Sequence, residues 1–336
     1  IENRRVPDVF WYADSLDYSL MLQDGEAPLL FLVAGTGAGY DASKMLFLQR
    51  LLHAQGWHVA CLTSPTHFTF VTSASRYATP GFVPHDVADL YRVMRWVDEE
   101  VKKKRPVSGY AVGGYSLGGM HAAFLAELDS RVGAFGFSRV LMLNPAVDLY
   151  GSALRFDSWM RPEANGGRTP EEVLDGFINK FADLYKEKGL HELNTEVLME
   201  LVADLDLTQD DYRTLIGSSF RLTSASMIFT ADVCLNAGYV KPADVQLTST
   251  SPLLPYYYVG VHIIFEEYVD EFLVPYLQFL KPGTTKEGAL AACRLEAIQG
   301  FLAGNDAVRV IGTVDFDDIS LLPVDAAAGG KKKLNP

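Results

Sequence analysis

Apolar and polar positions along the chain fall into alternating blocks. Two β segments open it: Phe10 to Leu20, which alternates in part, and Pro28 to Val33, which is apolar throughout. A continuous apolar run suits a strand buried on both faces of a sheet. It leads into Ala34-Gly35-Thr36-Gly37-Ala38-Gly39-Tyr40 and then a helix from about Asp41 to Gln55, with Asp41 or Ser43 placed to cap it. Gly56 to Leu62 reads as the next strand. Pro84 to Lys104 reads as an amphipathic helix with Val87, Leu90, Tyr91, Met94 and Val97 on one face, and Pro106 stops it. A short apolar strand then runs up to Tyr115, a helix follows to about Leu128, and Val140 to Leu143 is a strand closed by Asn144-Pro145.

Strand and helix alternating at short spacing over 28–145 imply a parallel sheet with helices on both faces. The pattern changes at about Asp148. Strand signals vanish as far as Gln246, and helical segments rich in Leu, Asp and Glu replace them; Pro252 to Leu280 continues helical and more apolar. Strand pattern returns at Val308 to Ile311, followed by Gly312-Thr313-Val314-Asp315-Phe316-Asp317-Asp318. The division predicted is a core over 1–147, a helical insertion over 148–250, a return to the core over 251–322 and a tail over 323–336.

Composition narrows the class. With 336 residues, 49% of them hydrophobic, the chain can bury a large core. A net charge of −13 argues against a nucleic-acid partner, because little would neutralise phosphates; Lys331-Lys332-Lys333 belongs to a solvated tail. Cys61, Cys234 and Cys293 form no C-x-x-C pair, so neither a zinc ribbon nor a disulfide framework is supported. The longest apolar stretch, Pro252 to Phe265, falls short of the roughly 20 residues of a membrane span. The expectation is a soluble protein of open compartment, exported if a signal peptide preceded Ile1.

Candidate chemistry concentrates at two glycine-rich turns. Gly114-Tyr115-Ser116-Leu117-Gly118 fits G-x-S-x-G between a strand and a helix. A serine there takes a strained backbone conformation that stands its hydroxyl clear, and the Leu117 amide at the helix N-terminus can donate to a developing oxyanion. The turn at 35–39 fails as a dinucleotide fingerprint, since Tyr40 stands where the third glycine belongs, and the next strand ends without an acidic residue. It fails as a Walker A loop for want of Gly-Lys-Ser/Thr. No cofactor is expected. The better use of this turn is a second oxyanion donor, the amide of Thr36 or Gly37.

With these residues in place, the chain resembles the α/β-hydrolase superfamily, over roughly 28–145 and again at 308–318. The resemblance implies an α/β fold with a mostly parallel sheet, helices on both faces and an inserted helical lid at 148–250. Ser116 would be the nucleophile of a serine esterase, lipase or thioesterase working through an acyl-enzyme. The Gly-x-x-Asp placement makes Asp315 the acid, with Asp317 and Asp318 as competitors. The small-molecule ester or thioester would carry an apolar acyl part, and Trp159, Met160, Phe177 and Phe181 are candidates to line its pocket. The superfamily's order then calls for a histidine after the acid, and none follows Asp318. Of the seven histidines, His67 alone is placed near the active face. Either the natural chain runs past Pro336 to a last strand and histidine, or another base serves, or the site is silent and the fold binds a ligand or partner.

Overall fold

The structure, a computed structural model, describes residues 6–161, 167–169, 172 and 209–312. Its centre is a six-stranded sheet in the order β1-β3-β2-β4-β5-β6, made of β1 Tyr18–Met21, β2 Ala27–Val33, β3 His58–Leu62, β4 Val107–Tyr115, β5 Arg139–Leu143 and β6 Val308–Ile311. All neighbouring pairs are parallel except β1 with β3. This mostly parallel sheet with flanking helices is the α/β-hydrolase-like arrangement the sequence implies.

The apolar run of β2 explains why the sheet is covered on both sides. Leu29, Phe31 and Val33 point into the larger core, with helices α3 (Val83–Lys102) and α4 (Leu117–Val132) over them. Leu30, Leu32 and Ala34 point to the other face, against Met45, Leu48 and Leu52 of α1 (Ser43–His53). The α3 stripe is as the spacing requires, with Val87, Leu90, Tyr91, Met94 and Val97 all buried.

Two local expectations fail. Phe10 to Leu20 is not one strand: Asp8–Ala13 winds as a 3-10 turn after Pro7, and only Tyr18–Met21 joins the sheet, as an antiparallel edge. Burial decides it, since Phe10 is sunk in the core with its ring 6.0 Å from Phe229, a tertiary contact that outweighs the β preference of Phe, Trp and Tyr. Nor do Asp41 or Ser43 cap α1; Ala42 is the N-cap, with no side-chain bond.

After β5 come α5 (Leu149–Trp159), the 27-residue α6 (Gln209–Leu235), α7 (Leu254–His262) and a helical run over 265–280, so strand is absent from the described part of the predicted insertion. One buried ion pair bolts these helices together. Arg221 on α6 donates from Nε and Nη2 to Asp157 Oδ1 on α5 at 3.0 and 2.7 Å, and from Nη1 to the Val261 carbonyl at the end of α7. The second Asp157 oxygen accepts the Phe265 N–H at 2.6 Å. Phe177 and Phe181 lie outside the described residues; Met160 is buried beside Ser218 of α6, and Trp159 packs on Phe156.

Candidate active site

Ser116 stands between β4 and α4 with φ 54° and ψ −125°, a region that L-residues other than glycine seldom occupy. Its backbone is tied on both sides. The N–H donates to the Leu143 carbonyl of β5 at 2.8 Å, while its own carbonyl accepts from Gly119 at 2.9 Å and from Ala146 at 3.3 Å. Among the described residues no hydrogen bond engages the Oγ. Ser116 is half-buried, and its backbone sets the direction of its side chain.

The flanking glycines are steric necessities. A Cβ on Gly114 would lie 2.7 Å from the Val33 carbonyl oxygen and closer still to the Gly118 carbonyl. A Cβ on Gly118 would lie 2.6 Å from the Ala34 carbonyl oxygen, and Val33 O is nearer again. Helix α4 therefore starts in contact with the carboxyl end of β2. Gly118→Ala is expected to displace this turn against backbone that cannot yield, costing about 3 kcal/mol. Chemical denaturation against wild type would measure it; an unchanged midpoint would mean the turn has room.

That loop is laced to the one after β3. The Gly37 N–H donates to Thr66 Oγ1 at 2.8 Å, Ser64 N–H to the Ala38 carbonyl at 3.0 Å, and Tyr40 N–H to Thr63 Oγ1 at 3.1 Å. Gly37 has φ 64°, and a side chain there would run into Thr223 of α6. Of the two amides named for the second oxyanion donor, Gly37 is engaged by Thr66; no such partner holds the Thr36 amide among the described residues. Sequence reading passed over Thr66 and Thr223, which carry no motif and meet Gly37 only through the fold.

The acid and base stand differently. Asp315, Asp317 and Asp318 lie outside the described residues, as does His191. His58 is structural, its Nδ1 accepting the Gln23 N–H at 2.9 Å. His85 stacks on Tyr77, and burial pushes its pKa down to about 4. His121, five residues beyond Ser116, is fully buried with Nε2 3.6 Å from Asp86 Oδ2, and burial raises the Asp86 carboxyl above its ordinary value. His67 caps helix α2 (Phe68–Ser73) at the same edge of the sheet as the two loops. Among the described residues, no cluster of three or more His, Cys, Asp or Glu could hold a metal ion, and no helix is long and apolar enough to cross a membrane. Cys61 and Cys293 are buried free thiols whose pKa values burial pushes up to about 12.

No family model matches the chain, and no curated protein matches it. Solved structures align with it over parts of their length. Est1E from Butyrivibrio proteoclasticus with bound ferulic acid aligns at 16% identity and a TM-score of 0.32, over 41% of this chain and 52% of that one. This chain thus spans about half the length of that match. A thermostable carboxyl esterase from Bacillus coagulans aligns at 13% identity and a TM-score of 0.31, over 66% and 73%. An acetyl xylan esterase from Paenibacillus sp. R4 aligns at 15% and 0.29, over 67% and 77%.

Proposed function

We propose that the protein is a serine hydrolase that cleaves a small-molecule ester or thioester through Ser116. The observation that carries this is the backbone of Ser116 itself: a positive φ on a non-glycine residue, locked between two glycines that tolerate no side chain, at the point where a buried parallel strand becomes a helix. Strain of this kind persists where the surroundings over-determine it, and it clusters at sites of chemistry.

In the reaction, Ser116 Oγ attacks the carbonyl carbon as an imidazole takes its proton. The carbonyl oxygen, now an anion, receives the Leu117 amide and that of Thr36, with Gly37 the alternative. Collapse of the tetrahedral species expels the alcohol or thiol, which leaves with the proton from the imidazole. Water then repeats the sequence on the acyl-enzyme. Asp315 is the acid assigned to orient the imidazole. The acyl group in this reading is apolar, as the resemblance implies.

The test is intact mass and peptide mapping after treatment with a fluorophosphonate. A single adduct on the peptide holding Ser116 is the expected result. Absence of any adduct on the natural full-length chain would sink the hydrolase reading in favour of a silent fold that binds a ligand or partner.

A further inference from the structure

The loop after β3 carries a histidine to which the reaction above gives no role. Thr69 N–H donates to His67 Nδ1 at 3.3 Å, and Thr69 Oγ1 lies 2.7 Å from the same nitrogen. An amide N–H can only donate, so Nδ1 presents its lone pair and the threonine hydroxyl donates to it too. The single proton of the neutral ring then sits on Nε2. Burial against Phe68 keeps the ring's pKa below the ordinary histidine value, with the Asp41 carboxylate offsetting part of that, so the neutral form holds at neutral pH.

Nε2 is also open. It takes no hydrogen bond among the described residues, and the buried side-chain nitrogens left unpaired there are those of His121 and Arg294, not this one. It faces the loop at 35–40, 3.9 Å from where a Cβ of Gly39 would stand. The other end of that loop, Gly35, lies against the ring of Tyr115, the residue before Ser116. His67 and Ser116 thus sit on either side of that loop, one following β3 and the other following β4, strands that lie two spacings or about 10 Å apart across the sheet. A base needs a free lone pair, and His67 in this arrangement has none: it offers a proton.

We propose, resting on the serine hydrolase reading, that His67 is a substrate-binding donor: its Nε2–H receives an acceptor oxygen of the substrate several bonds from the scissile carbonyl. The site then selects esters bearing an ether, carbonyl or hydroxyl oxygen in that position over plain alkyl esters.

The experiment uses the full-length chain and two variants. His67→Asn keeps an acceptor for the Thr69 N–H, since asparagine is a good N-cap; His67→Phe removes cap and donor together. Two isosteric pairs probe the two sides of the ester: p-nitrophenyl hexanoate against p-nitrophenyl 3-ethoxypropanoate, and pentyl butyrate against 2-ethoxyethyl butyrate. The expected result is that in one pair the ratio of kcat/KM, oxygenated over alkyl, drops about tenfold in both variants, the size of one hydrogen bond. A ratio that His67→Asn leaves unchanged overturns the role of His67 while Ser116 still labels with fluorophosphonate. Loss of labelling in His67→Asn overturns it too, by making His67 the base. A wild-type serine that neither labels nor turns over sinks the hydrolase reading first, and this inference with it.

Discussion

Ser116→Ala is expected to reduce ester hydrolysis by about 10⁴- to 10⁶-fold, the range seen when a nucleophile is removed from a working triad. The loss should fall on kcat, with substrate binding nearly unchanged, because the proposed oxyanion donors are backbone amides that the substitution leaves in place. A second change separates chemistry from strain. Ser116→Gly also lacks the hydroxyl, but glycine occupies φ 54° without penalty, so this variant should be as inactive as the alanine and more stable than wild type by about 1–2 kcal/mol. Stopped hydrolysis with a raised unfolding midpoint would mark a strained, working residue. Full activity in either variant would remove Ser116 from the reaction.

Arg221→Met should produce the largest loss of stability among single changes away from the turn, about 3–5 kcal/mol at neutral pH. Methionine fills the space but leaves the Asp157 carboxylate buried, with the Phe265 amide and the charge of Arg161 to offset it in place of a guanidinium in direct contact. The pH dependence gives the sign. Burial holds Asp157 above its ordinary pKa, and Arg221 is the main influence pulling it down. Without the guanidinium the folded-state pKa rises further. A carboxyl whose pKa is raised on folding favours the native state most when protonated, and that contribution is lost as pH rises through the folded value. The Arg221→Met deficit should therefore shrink on acidification from pH 7.5 towards pH 5. Adding Asp157→Asn to Arg221→Met should recover part of it at neutral pH. A deficit independent of pH would mean that lost packing, not the stranded charge, is responsible.

The sheet was legible because Pro28 to Val33, largely buried on both faces, and Val140 to Leu143 stand out as unbroken apolar runs bounded by turn residues, while Val308 to Ile311 shows through its β-branched residues around Arg309. The α3 face was legible for the complementary reason, a 3.6 period over 20 residues. The first segment misled because Phe10, Trp11 and Tyr12 carry β preference, whereas their fate depends on Phe229, more than two hundred residues away. The Ser116 turn could be found locally: two glycines two residues either side of a serine report a steric constraint within five residues. The wall opposite was legible only in His67, because Thr66 and Thr223 reach the 35–40 loop from the stretch after β3 and from α6, and neither has a fixed spacing to it. Arg221 and Asp157 were invisible for the same reason, sixty-four residues apart and matched only by packing.

Ser116 is held in place by the end of β2, through Gly114 and Gly118, and not by β4 alone. Strands β2 and β4 are parallel neighbours that the chain reaches only after passing through β3 and α3. The reactive geometry therefore cannot exist in a collapsed chain with local helices but an unpaired sheet, since loop closure of this span comes late. During refolding from denaturant, susceptibility to a serine-directed reagent becomes a clock for one event, the docking of those two strands, and should lag behind the recovery of far-ultraviolet dichroism.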